Sequence, residues 1–100
     1  MTVDLDWENL GFNYRKLPFR YISYYKDGKW DEGQLTTDPN VTLNECACVF
    51  QYAQTVFEGM KAYTTEDGHI VTFRPDLNAE RLANSARRLE MPAFPEDRFV

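Results

Sequence analysis

The first clear apolar pattern begins at Phe19. The run Phe-Arg-Tyr-Ile-Ser-Tyr-Tyr over residues 19–25 is rich in aromatic and β-branched side chains and predicts a strand. Lys26-Asp-Gly-Lys29 follows, and Asp-Gly tolerates the positive φ of a tight hairpin, so a partner strand is expected from Trp30. Thr36-Thr-Asp-Pro-Asn40 is a loop by composition. Residues 41–43 fit a short strand, and 44–51 stay open between a short helix and a strand. The strongest strand pattern covers 55–64, after which Thr65-Glu-Asp-Gly-His69 supplies a second Asp-Gly turn into a return strand over 70–74.

A helical pattern then takes over. Asp76 suits an N-cap, while Glu80 near the start and Arg87 and Arg88 near the end complement the helix dipole. Ala79, Leu82, Ala86 and Leu89 share one apolar stripe, and Met91-Pro92 ends the segment. The order of hairpin, irregular connection, hairpin and helix predicts an α+β fold, an antiparallel β-sheet with a helix packed on one face. Residues 1–18 read as irregular, with Trp7, Leu10, Phe12 and Tyr14 as anchors. The tail, 93–100, carries apolar Phe94, Phe99 and Val100 and reads as a segment entering further structure.

At 100 residues, 43% hydrophobic and 27% charged, the chain has the composition of one small globular domain over 1–100 and not of a disordered segment. A formal charge of −5 without a basic patch argues against nucleic acid as a partner. No basic start leads into an apolar run, and nothing approaches a membrane span, so a cytoplasmic location without a membrane partner is expected. Cys46 and Cys48, with no further cysteine, cannot complete a metal site and are expected to be buried free thiols. No phosphate loop, dinucleotide fingerprint or nucleophile elbow occurs. His69 reads as an exposed turn residue.

Chemistry enters through the faces of the 55–64 run. Thr55, Phe57, Gly59, Lys61 and Tyr63 alternate with Val56, Glu58, Met60 and Ala62. Gly59 either makes room for a neighbouring aromatic such as Tyr52 or Phe57, with Lys61 reaching to water, or leaves space for a ligand. Glu58 fits a sheet edge or a salt bridge to one of the late arginines. Arg81 lies off the apolar stripe, so a solvated helix face accounts for it, but its planar donor fork also suits a phosphate.

The runs Phe57-Glu-Gly-Met-Lys-Ala-Tyr63, Asp67-Gly-His-Ile-Val-Thr-Phe-Arg-Pro-Asp-Leu-Asn-Ala-Glu-Arg81 and Ser85-Ala-Arg-Arg-Leu-Glu-Met-Pro92 resemble the N-terminal part of the branched-chain amino-acid aminotransferases. The resemblance extends to Asn9-Leu-Gly-Phe12 and to the hairpin over 21–30. It implies a fold type IV enzyme using pyridoxal 5'-phosphate, with this chain as most of a small N-terminal domain. By the same resemblance, Arg81 binds the cofactor phosphate. Phe12, Tyr52 and Phe57 line the pocket for a branched side chain, and Gly59 and Lys61 lie near the substrate.

The reaction implied is transfer of an amino group from leucine, isoleucine or valine to 2-oxoglutarate, within a homo-oligomer. The lysine that carries the cofactor is expected in a C-terminal domain beyond Val100, which leaves no catalytic residue and an inactive fragment here. Gln51 and Ala53 depart from the His and Gly that flank the tyrosine in many members. Two alternatives stand beside this one: another fold type IV enzyme, such as a D-amino-acid aminotransferase or an aminodeoxychorismate lyase, and a non-catalytic interaction domain.

Overall fold

A computed structural model describes residues 5–100. Its contacts gather into two compact units that divide between Thr42 and Leu43. The mixture of antiparallel strand pairs and helices is the α+β class read from the sequence.

In the first unit a single 3-10 turn, Trp7–Asn9, interrupts an irregular lead-in. One interrupted hairpin follows. Strand β1 (Arg20–Ile22) pairs antiparallel with β4 (Gln34–Thr36), and β2 (Tyr25–Lys26) pairs with β3 (Lys29–Trp30). Asp27 and Gly28 have φ of 52° and 81°, the left-handed conformations that the Asp-Gly turn was expected to supply. The expected single pair of strands is broken because the facing partners shift from Ile22 and Gln34 to Tyr25 and Trp30, which leaves one additional residue on the returning side.

Asp31 and Gly33 absorb that bulge. The backbone N–H groups of Tyr24 and Gly33 donate to Asp31 Oδ1 at 3.0 and 2.9 Å, and Ser23 Oγ donates to the same oxygen at 2.8 Å. Gly33 has φ of 74°, and a Cβ there would overlap the Tyr21 ring, whose hydroxyl donates to Glu32 O at 2.8 Å. Only glycine meets both demands. Tyr25 and Trp30 stack edge to face across the ladder, 5.3 Å between centroids. The 36–40 loop is tied to β1 by Arg20, which donates to Asp38 O and Asn40 O at 2.6 Å each.

The second unit resolves the ambiguous 44–51 region as a short helix, α1 (Cys48–Tyr52), stopped by Ala53 at φ 50°. Neither thiol is buried as expected: Cys48 opens α1, which buries no residue, and Cys46 lies in the exposed turn before it.

The strand expected over 55–64 is reduced to β5 (Ala62–Thr64), paired with β6 (Ile70–Thr72) through the second Asp-Gly turn. The physical reason lies at the far end of the hairpin. Extending the register would set Lys61, Met60 and Gly59 against Phe73, Arg74 and Pro75. Arg74 instead turns left-handed at φ 45°, and Pro75 has no N–H to donate. The run before β5 makes no ladder, yet its burial still alternates, with Val56 and Glu58 half-buried and Phe57 exposed.

Helix α2 (Pro75–Arg88) starts two residues earlier than expected. Arg74 is the cap, Pro75 takes the first helical position, and Asp76 lies inside the first turn, where its carboxylate accepts from Arg74 Nε and Nη2 at 3.0 and 2.8 Å. Among the described residues the buried ones are Ala79, Ala83 and Ala86. The seam therefore runs through Ala83, with Leu82 half-buried and Leu89 41% exposed. Its main element contact is with α3 (Glu96–Phe99), and Arg87 and Glu96 approach to 4.0 Å. The end of α2 is a Schellman motif. Met91 N donates to Ala86 O at 2.8 Å and Glu90 N to Arg87 O at 3.1 Å, with Glu90 at φ 56° where glycine is usual.

Candidate functional site

The strand-like run 55–61 and one edge of α2 meet through polar side chains. Asn78 and Arg81 are one turn apart on α2 and so share an edge of the helix. Glu58, on the inward side of the run, receives both. Arg81 Nε donates to Glu58 Oε2 at 2.7 Å, and Arg81 Nη2 donates to Oε1 in the second prong of a forked pair. Asn78 Nδ2 donates to Glu58 Oε1 and to Gly59 O, each at 2.8 Å. The Glu58 carboxylate and the neighbouring Gly59 carbonyl thus tie the run to the helix.

The two ends of the ion pair differ in access to water. The Glu58 side chain is 7% exposed and that of Arg81 63%. The Arg81 hydrogen bond holds the Glu58 carboxyl below the usual carboxylate range, against a desolvation effect that raises it, and Asn78 adds to the lowering. Glu58 in turn raises the Arg81 guanidinium. The carboxylate is a sheltered anchor, and the guanidinium emerges from it towards solvent with its Nη1 free of hydrogen bonds to other described residues.

Beside this clamp lies an open concavity of about 490 Å³ lined by Gly59, Met60, Lys61, Tyr63, Phe73 and Asn78. Gly59 has space around it. A Cβ built there would meet only Phe57 Cζ at 3.7 Å and Cε1 at 3.9 Å, ordinary contact distances, and its φ is not left-handed. The chain's own packing does not demand glycine at this position. Phe57 is 89% exposed beside it.

Of the residues singled out from the sequence, Phe57, Gly59, Lys61 and Arg81 are brought to this one region of the second unit. Tyr52, at the end of α1, lines a separate concavity of about 300 Å³ with Cys48, Ala53, Gln54 and Leu89. Phe12 is an exposed residue of the first unit. The salt-bridge reading of Glu58 holds, whereas the parts of Asn78 and Phe73 were not foreseen. The three-residue spacing of Asn78 and Arg81 was the available signal for the first; nothing local marks Phe73. His69 is an exposed turn residue as expected, 2.9 Å from the Asp67 carboxylate. Among the described residues no cluster of His, Cys, Asp and Glu could hold a metal, and no helix is long and apolar enough to cross a membrane.

No family model matches the chain. Individual aminotransferases do. The chain is 53% identical over 97 residues to a branched-chain-amino-acid aminotransferase of Haemophilus influenzae, covering 97% of this chain and 28% of that protein. It is 45% identical over 97 residues to the branched-chain-amino-acid aminotransferase of Helicobacter pylori, with the same coverage of 97% and 28%. To a methionine aminotransferase of Arabidopsis thaliana it is 42% identical over 99 residues, 98% of this chain and 28% of the relative. The resemblance to branched-chain aminotransferases carried by the runs around Phe57, Arg81 and Met91 therefore holds over almost the whole chain. The chain spans little more than a quarter of the length of these relatives.

Proposed function

We propose that this chain is part of a longer branched-chain amino-acid aminotransferase that uses pyridoxal 5'-phosphate to pass the amino group of leucine, isoleucine or valine to 2-oxoglutarate. The observation that carries the proposal is the placement of Arg81 on the carboxylate between Phe57 and Gly59, next to an open concavity. The donor set fits the cofactor's anionic end. An exposed guanidinium with an unused nitrogen is held in place, and the glycine beside it is not filled by the chain's own side chains.

When bound, the cofactor supplies the electron sink for breaking a bond to the amino acid's α-carbon. The protein groups do the rest. Arg81 holds the phosphate, Gly59 keeps the approach open, and exposed Phe57 presents apolar wall to the substrate side chain, while Tyr52 and Phe12 are proposed, each within its own unit, as further apolar surface for the substrate. Such walls discriminate by only about 1–3 kcal/mol per methylene, so several aromatics are needed to favour branched side chains. Lys61 lines the concavity near the substrate; the lysine that carries the cofactor belongs to the C-terminal domain of the longer protein, and the 100-residue chain alone is inactive. The reading includes a homo-oligomer in the cytoplasm. Exposed Trp7, Phe12, Leu35, Tyr52, Phe57 and Phe73 support the need for further protein surface against this chain.

The methionine aminotransferase among the relatives favours a second reading, in which the same apolar wall accepts an unbranched thioether side chain. One experiment tests both. The full-length protein, loaded with pyridoxal 5'-phosphate, is assayed for glutamate formation from 2-oxoglutarate with leucine, isoleucine, valine or methionine as donor. A preference for the branched donors is expected, and Phe57→Ala should weaken it more than it weakens use of glutamate. Preference for methionine selects the second reading; no transamination with any of the four removes both.

A further inference from the structure

Arg81 is not simply a cation near a concavity, because two neighbours fix its direction. Its Nε and one terminal nitrogen are both spent on Glu58, and the Glu58 carboxylate is itself held by Asn78, which also ties down the Gly59 carbonyl. The carboxylate is the sheltered member of the pair and the guanidinium the exposed one. We propose that Glu58 is a positioning residue for anion binding: it locks the plane of the Arg81 guanidinium so that the remaining N–H edge is presented as a preformed fork to a phosphate group. This rests on the reading of Arg81 as the phosphate ligand given above.

The physics sets two effects of opposite sign against each other. A free arginine loses rotamer freedom when it closes on an anion, and a guanidinium already pinned along one edge has lost that freedom in advance. Against this, an ionised Glu58 cancels the charge that attracts the phosphate, and by Coulomb attraction alone its removal would strengthen binding. A positioning role therefore predicts that neutralising a nearby negative charge weakens the grip on an anion. A simple charge effect predicts the reverse, and a purely structural role predicts no change in the preference for a phosphorylated ligand over its unphosphorylated form.

The test is made on the full-length protein by measuring the dissociation constants of pyridoxal 5'-phosphate and of pyridoxal, whose ratio isolates the phosphate contact from general effects on folding. In Glu58→Gln the preference for the phosphorylated form is expected to fall about tenfold, the scale of losing one well-aimed charge-assisted hydrogen bond. A preference that rises or stays constant overturns the positioning role. Arg81→Gln separates this from the parent reading. If that variant abolishes the preference while Glu58→Gln does not, only the positioning role falls; if Arg81→Gln leaves the preference intact, both fall. Should Glu58→Gln not fold, Asn78→Ala leaves every charge in place while releasing the carboxylate, with a fall of about threefold expected, smaller than for loss of the charged partner itself. An unchanged preference there overturns the proposal as well.

Discussion

The two units of this chain solve the same problem, how to hold a few extended residues in place, by different means. In the first, the hairpin is held by its own backbone and by residues close in sequence: the Asp-Gly turn, the Asp31 carboxylate on two backbone N–H groups, and the Tyr21 hydroxyl on Glu32 O. In the second, the run before β5 has no ladder, and its Glu58 carboxylate and Gly59 carbonyl are held by side chains of a helix about twenty positions later, with Glu58 contacted from 20 and 23 residues away. The hairpin is defined by local conformation. The candidate site is defined by a long-range clamp that puts a sheltered carboxylate, an exposed cation and an open glycine together.

The largest effect that would sharpen this contrast is expected at the bulge. Gly33→Ala forces an L-residue into φ of 74° and drives a methyl group into the Tyr21 ring. A loss of about 3 kcal/mol is expected from the backbone strain and the displaced tyrosine hydrogen bond. Amide hydrogen exchange should show the loss in β1 to β4 and leave α2 protected. Equal loss of protection in both units would break the distinction between them.

A smaller effect is expected from acid. The folded-state pKa of Glu58 is depressed, so its contribution to stability is complete above the ordinary glutamate value of about 4.3 and is lost as the pH falls through the lower folded value. Carbon-13 NMR of the Glu58 carboxyl group should place its midpoint below that ordinary value. Glu58→Gln should flatten the acid limb of the unfolding profile. A midpoint at the ordinary value would mean that the clamp with Arg81 does not persist in solution.

The smallest effect belongs to Gly59→Ala. Because a Cβ there meets Phe57 only at 3.7 and 3.9 Å, thermal unfolding should change by less than about 1 kcal/mol, towards stabilisation. In the full-length protein the same change should raise the KM for leucine. A clear destabilisation would show that this glycine serves the chain's own packing, and the open space beside Phe57 would lose its meaning as a place for substrate.

What the sequence disclosed follows the same division between local and distant causes. Both Asp-Gly turns and the body of the helix after Asp76 are where the residues put them, since turn chemistry and helical periodicity act over a few positions. The strand over 55–64 was too long because Arg74 and Pro75 end its partner, and only the register of the hairpin reveals which residues lose their mates. Asp76 looked like the cap because it is a good one, but a proline immediately before it is better still as a first helical residue. The two cysteines were expected inside on the strength of their usual preference, which fails in an exposed turn and on a helix that buries nothing. In the candidate site, Gly59 and Arg81 were legible as individuals. Their connection through Glu58 and Asn78 was not, because it depends on how a helix edge is laid along the run.

The additional residue in the first hairpin also decides what that hairpin displays. Trp30 and Leu35 are an odd number of positions apart, so on an uninterrupted strand they would point to opposite sides. They nevertheless oppose Tyr25 and Tyr21, which are an even number apart. By spending one residue as a spacer at 31–33, the chain keeps Trp30 opposite Tyr25 and Leu35 opposite Tyr21 in one ribbon. Deleting that spacer would put one of these two pairings out of register while leaving the amino-acid content almost untouched.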